Sequence, residues 1–245
     1  AIAVPLAGDG DWRRSLLVLS AAAFVSLGLW LLLVREGPEE RAGRAVRPVR
    51  LPWRNGTAWT LALVFGLQSV LFYGSIAWLP NAYVERGWPT TDAASLVAIA
   101  SGVSLITTIG VPLFADRFRA RRPVIVVAAA VSTLALAVVA AVPELAYPAV
   151  AVLGLALGAV LPLVLNLPLD VADDPASVGS VAALMLLGGY VISSTAPFVL
   201  GAARDLTGNF GASLWLLVVV GVAFTATCLR LSGGRLRRGV GREPV

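Results

Sequence analysis

A chain of 245 residues with 58% hydrophobic and 13% charged side chains carries too little charge to wet the surface of a soluble domain, where about 25% is usual. The net charge of +5 comes from arginine against the acids, since lysine and histidine are absent. These arginines fall between long apolar runs rather than along a basic face, which argues against a nucleic-acid partner. One cysteine, Cys228, permits no intrachain disulfide, and with no histidine there is no metal-ligand set, so neither metal nor cofactor is expected.

A hydrocarbon core about 30 Å thick is crossed by about 20 apolar residues of helix. Seven stretches free of Asp, Glu, Lys and Arg reach or approach that length: in chain order 15–34, 57–79, 95–115, 123–142, 149–169, 178–203 and 212–229. None shows the period-2 alternation of a membrane barrel. Lipid leaves no backbone group unpaired, so the seven are read as helices and the fold class as an all-α integral membrane protein. Residues 1–7, which open on Ala1 rather than Met, read as the tail of an earlier helix. Residues 35–56 are rich in Arg, Glu, Pro and Gly and read as a linker. The expected organisation is therefore 1–34 as the end of an N-terminal half, 35–56 as a basic linker, 57–232 as a six-helix bundle and 233–245 as a tail. A twelve-span protein made of two six-helix halves has this layout if it is entered near the end of span five. The remaining N-terminal half of the same protein is then an expected partner, besides the lipid bilayer and a small solute.

Arginine sets the orientation. The joins alternate sides, and one side receives 35–54, 116–122, 170–177 and the tail from 230. That set holds 15 arginines against 4 on the other side. The positive-inside rule places it in the cytoplasm, so the linker and the C-terminus are expected there, in a multi-pass protein of the cell membrane.

The join Ala115-Asp116-Arg117-Phe118-Arg119-Ala120-Arg121-Arg122 resembles the cytoplasmic loop signature of the major facilitator superfamily, and it stands after the second span of the six-helix unit, as in that family. The position four before the aspartate, usually glycine there, is Pro112, with Gly110 nearby. The runs Asn55-Gly56-Thr57-Ala58-Trp59, Phe65-Gly66-Leu67-Gln68-Ser69 and Trp78-Leu79-Pro80 resemble the seventh span of the cyanate permease and nitroimidazole exporter branch. Gly158-Ala159-Val160-Leu161-Pro162-Leu163 resembles its tenth span. Gly201-Ala202-Ala203-Arg204-Asp205-Leu206-Thr207-Gly208 resembles the join after its eleventh. The resemblance covers nearly the whole chain. It implies secondary active transport of a small anion or small neutral heterocycle by alternating access around a central cavity. It also implies a conformational-switch role for Asp116, Arg117, Arg121 and Arg122.

Polar groups at membrane depth are expensive unless paired or wet. Gln68 stands mid-span, with Phe72 and Ser75 on its face at i+4 and i+7. Its amide can orient a solute or bridge two helices. Ser101, Ser104 and Thr108 form a second polar stripe, able to face a solute or to bond their own helix backbone. Asn166, between Pro162 and Pro168, is a further solute candidate, or satisfies a carbonyl that the prolines free. Gly154, Gly158, Gly188 and Gly189 read as close-packing sites, and Pro197 as a kink. Asp170, Asp173 and Asp174 cap a helix, solvate their join or pair with cytoplasmic arginines. The spans offer no carboxylate for proton relay.

Two other classes fit less well. Asp116-Arg117-Phe118 also suits a seven-span receptor, yet one cysteine cannot form the usual outer bridge and the last span lacks an Asn-Pro-x-x-Tyr run. A membrane enzyme needs a metal cluster, a nucleophile with its base or paired carboxylates, and none is visible. A non-transporting membrane subunit is the remaining alternative.

Overall fold

The computed structural model describes residues 12–33, 51–114, 121–172 and 175–231, and all regular structure among them is helical. It forms two units, one within Ala1–Pro48 and one within Val49–Val245. The first contains a single described helix, α1 (Trp12–Leu33), whose Ser26 hydroxyl donates to the Ala22 carbonyl at 2.9 Å. That bond hides a polar group within its own helix, as lipid depth requires.

The second unit is a helical bundle: α2 (Gly56–Glu85), α3 (Thr90–Phe114), α4 (Arg121–Ala141), a 3-10 turn (Pro143–Leu145), α5 (Ala146–Leu165), the short α6 (Leu167–Val171), α7 (Pro175–Ser194), α8 (Ala196–Thr207) and α9 (Gly211–Arg230). With α1, seven stretches among the described residues are long and apolar enough to cross a membrane, the sixth being Ser177–Thr207 across α7 and α8. Several helices outrun their apolar stretches. The best example is α2, which continues past Pro80 to Glu85, because a helix is limited by its hydrogen bonds and not by the lipid boundary. Asn55 caps its start, the side-chain oxygen accepting from the Thr57 and Ala58 amides at 2.9 and 3.1 Å.

The sixth span breaks at Thr195, two residues before Pro197. Proline has no amide hydrogen and clashes with the preceding turn. Around the break, Ser193, Ser194 and Thr195 turn their hydroxyls onto the Tyr190, Val191 and Ile192 carbonyls. A second break, at Asn166, precedes Pro168 in the same way.

Packing within the bundle follows an internal symmetry. The most extensively packed helix pairs are α3–α5, α2–α7, α4–α5, α4–α9 and α2–α9. Exchanging the first three spans (α2, α3, α4) with the last three (α5, α7–α8, α9) turns α3–α5 into α7–α2 and α4–α5 into α9–α2, and leaves α4–α9 unchanged. Three crossings reverse the chain's direction, so two such triplets are inverted relative to each other.

Glycine makes the two closest related crossings possible. A Cβ on Gly154 or Gly158 of α5 would collide with the Ala100 or Ser104 carbonyl of α3. On Gly66 of α2 it would meet Ile192 of α7 at 2.8 Å, and on Gly189 it would collide with Phe65. Lipid supplies no hydrophobic drive between helices, so contact comes from such backbone approach. The most enclosed span is α2: 61% of its most apolar stretch is buried, against 11% for α3.

Candidate solute cleft

Near the middle of α2, Gln68 is only 2% exposed. It lines a cleft of about 180 Å³ together with Phe65, Ser69, Phe72 and Tyr73 of the same helix, Leu161 and Leu165 of α5, and Tyr190 of α7. The glycine-permitted crossing of α2 and α7 brings Tyr190 there. Phe65 stands one turn before Gln68 and Phe72 one turn after, on one helical face. Each is edge-on to a tyrosine: Phe65 to Tyr190 at 5.2 Å, and Phe72 to Tyr73 at 5.4 Å. The phenylalanines are the more enclosed members, while Tyr73 and Tyr190 are more than half exposed and form the rim. Among the described residues, no Asp, Glu or Arg lines the cleft.

The Gln68 carbonyl oxygen, Oε1, has no hydrogen-bond partner among the described residues, and neither has the Ser75 hydroxyl. A buried amide oxygen left without a donor costs about 1–3 kcal/mol. Of the two roles open to the amide, a bridge to a second helix is not made by this oxygen among the described residues. Ser75 does not line the Gln68 cleft. It borders a separate void of about 20 Å³ with Phe72, Ser101 and Gly154, so Phe72 is the residue common to both.

Other candidates bond within their own helix or to a neighbouring one. Ser104 donates to the Ser101 carbonyl at 2.8 Å. Thr108 donates to the Gly158 carbonyl of α5 at 3.0 Å, the acceptor that Pro162, four residues later, leaves without its helical amide. The Asn166 amide nitrogen donates to the Pro162 carbonyl at 2.8 Å, which also accepts from the Asn166 backbone amide at 3.3 Å and so is not one of the carbonyls that the prolines free. Arg121 pairs with Asp170 at 3.2 Å, joining the start of α4 to α6. Asp116 and Arg117 lie outside the described residues, as do Asp173 and Asp174. Arg122 opens α4 beside Arg121.

Sequence reasoning did not count Phe65, Tyr73 and Tyr190 as site residues. Phe65 was legible at i−3 from Gln68. Tyr190 depends on which helix packs against α2, and no local pattern reveals that.

A buried, uncharged cleft inside a symmetric six-helix membrane bundle defines a multi-pass membrane protein with an enclosed polar centre. The chain belongs to the Major Facilitator Superfamily, whose profile matches residues 1–197. It is 30% identical over 200 residues to the cyanate transport protein CynX of Escherichia coli (strain K12), covering 81% of this chain and 52% of that protein. It is 25% identical over 236 residues to the 2-nitroimidazole transporter of the same organism, covering 95% and 58%. It is 25% identical over 221 residues to the uncharacterized transporter YycB of Bacillus subtilis (strain 168), covering 89% and 55%. These relatives are transporters rather than enzymes, and two of them carry the substrates of the branch that the sequence motifs resemble. The chain spans about half the length of the curated relatives it matches. No solved structure matches significantly.

Proposed function

We propose that this chain works as the C-terminal part of a twelve-helix secondary transporter, which moves a small solute across the cell membrane by alternating access around the Gln68 cleft. The observation that carries this reading is Gln68 itself: almost fully buried, lining a cleft, with its carbonyl oxygen unpartnered. The relatives support it from a second direction, since those with named substrates carry a small anion or a small nitro-heterocycle. On this reading 1–34 ends the N-terminal half, 35–56 is the cytoplasmic linker, 57–232 is the C-terminal six-helix half and 233–245 is a cytoplasmic tail. The N-terminal half closes the cavity, and no nucleic acid takes part. Phe72 forms the cleft wall. Ser75, Ser104 and Asn166 are secondary positions whose exposure to solute changes as the halves rock. Asp116, Arg117, Arg121 and Arg122 set the balance between conformations, with Arg121–Asp170 as the pairing that supports this role.

The test uses the full-length transporter in proteoliposomes, with 2-nitroimidazole and cyanate as first solutes. Gln68→Leu keeps most of the volume and removes the hydrogen-bonding groups. It is expected to weaken apparent affinity about tenfold, as for one hydrogen bond to a strongly polar partner, with little change in melting temperature. A mutant that melts earlier but binds normally would remove Gln68 from the site. Uptake of neutral heterocycles and small anions no faster than in empty liposomes would overturn the transport reading.

A further inference from the structure

We propose that Phe72 is a specificity-determining residue: its ring closes the Gln68 cleft on the side of α3 and shuts it off from a second polar position, Ser75. The proposal rests on the cleft reading above and concerns the size of solute admitted, whatever its charge.

Two spaces follow one seam. On α2, Gln68, Phe72 and Ser75 share a face at i, i+4 and i+7, and the helix rises about 10 Å from Gln68 to Ser75. On α5, Leu157, Leu161 and Leu165 repeat at every fourth residue. Leu161 and Leu165 line the cleft of about 180 Å³, while Leu157 lines the void of about 20 Å³. Among the described residues only Phe72 lines both. These gaps persist because α2 and α5 pack on each other less extensively than α2 packs on α7 or α5 on α3. The void is walled by α2, α3 and α5, all of this unit, so its position does not depend on what closes the other side of the cleft.

Two features mark the void as more than loose packing. Gly154 lines it and has no side chain to fill it, and a Cβ there would collide with the Ala100 carbonyl of α3. The close α3–α5 crossing therefore keeps the space open. Ser75, the other feature, is 7% exposed, and its hydroxyl has no partner among the described residues. Other buried serines behave differently: Ser104 and Ser132 donate to carbonyls of their own helices, and Ser213 donates to the Leu200 carbonyl. A helical serine has such a bond within reach, and a buried hydroxyl without one is costly. The unmade bond at Ser75 is open to a solute group, and the Phe72 ring, edge-on to Tyr73 at 5.4 Å, stands in the way. Shortening Phe72 joins the two spaces and adds the volume of the ring itself.

The experiment measures dissociation constants of the full-length transporter in detergent. The probes are 2-nitroimidazole, cyanate, 1-propyl-2-nitroimidazole and 1-(2-hydroxyethyl)-2-nitroimidazole; the last two carry chains of equal length, and only the second can bond Ser75. Phe72→Ala is expected to improve affinity for the propyl compound about tenfold relative to 2-nitroimidazole, as for burying two methylenes. Phe72→Leu, which keeps more of the apolar packing, is expected to fold where Phe72→Ala does not and to show a smaller gain in the same direction. Adding Ser75→Ala to either variant should weaken the hydroxyethyl compound about fivefold, the factor for one neutral hydrogen bond, and leave the propyl compound unchanged. No gain for the propyl compound in either variant, or equal effects of Ser75→Ala on both chains, would overturn the proposal. Gln68→Leu separates the two levels. If it weakens 2-nitroimidazole or cyanate while the Phe72 variants gain nothing, the cleft stands and only the partition fails. If it weakens neither, the cleft reading itself fails.

Discussion

Proline and threonine make a matched pair across α3 and α5. Pro162 cannot supply an amide hydrogen to Gly158, and Thr108 of α3 donates to that carbonyl instead. Thr108→Val is expected to destabilise the bundle by about 0.6–1.7 kcal/mol, the range for hydrogen bonds between membrane helices. Thr108→Ser, which keeps the donor, should lose less. Melting temperatures in detergent compare the two, and a larger loss in Thr108→Ser than in Thr108→Val would mean that the methyl group rather than the hydroxyl matters. A simple rule was available here, since an interior proline orphans the carbonyl four residues earlier. The identity of the donor was not available, because nothing local links residue 108 to residue 158. Gln68 shows the same division. Its cost at membrane depth marks it in the sequence, but only packing reveals that no helix among the described residues answers its Oε1.

At the scale of the element, α2 anchors two neighbours through consecutive charged residues at its end. Glu85 accepts from the Phe210 amide at 2.7 Å, at the start of α9. Arg86 donates to the Val139 and Ala140 carbonyls at 3.1 and 2.7 Å, at the end of α4. Tyr83 donates to Val139 as well, at 2.8 Å, and the Arg86 guanidinium lies 5.0 Å from the Tyr83 ring. Each charge meets the helix end of opposite sign, and each fills backbone groups that a helix end leaves unpaired. Arg86→Ala should therefore cost about 1–2 kcal/mol, read as earlier thermal unfolding. Arg86→Lys should recover only part, because an ammonium cannot span two carbonyls as the planar guanidinium does. Full recovery by lysine would show that charge alone is needed. The apolar-run criterion ends this span at Leu79 and misses the whole anchor, since hydropathy reads lipid contact and α2 continues two turns beyond it. The same criterion joins 178–203 into one span and does not place the break at Thr195, although Pro197 points to it.

For the whole molecule, orientation rests on arginine distribution. The expected outcome is a cytoplasmic Arg54 and an outward Glu144. Both side chains are exposed, and the test places single cysteines at each in a Cys228→Ser background. A membrane-impermeant maleimide added to intact cells should label Glu144→Cys rapidly and leave Arg54→Cys protected; the reverse pattern would invert the topology. Sequence by itself determined the membrane setting, the seven spans and the superfamily, because transfer of an apolar run into lipid depends only on that run's own residues. Tertiary structure decided which spans touch. It made α2 the most enclosed helix, set α5 and α7 against it, and so brought Leu161, Leu165 and Tyr190 to the Gln68 cleft. The reason is that lipid is as apolar as leucine. Hydropathy therefore cannot rank one helix–helix contact above another, and pairing falls to glycine-permitted backbone approach and to hydrogen bonds between helices, which exist only once two surfaces meet.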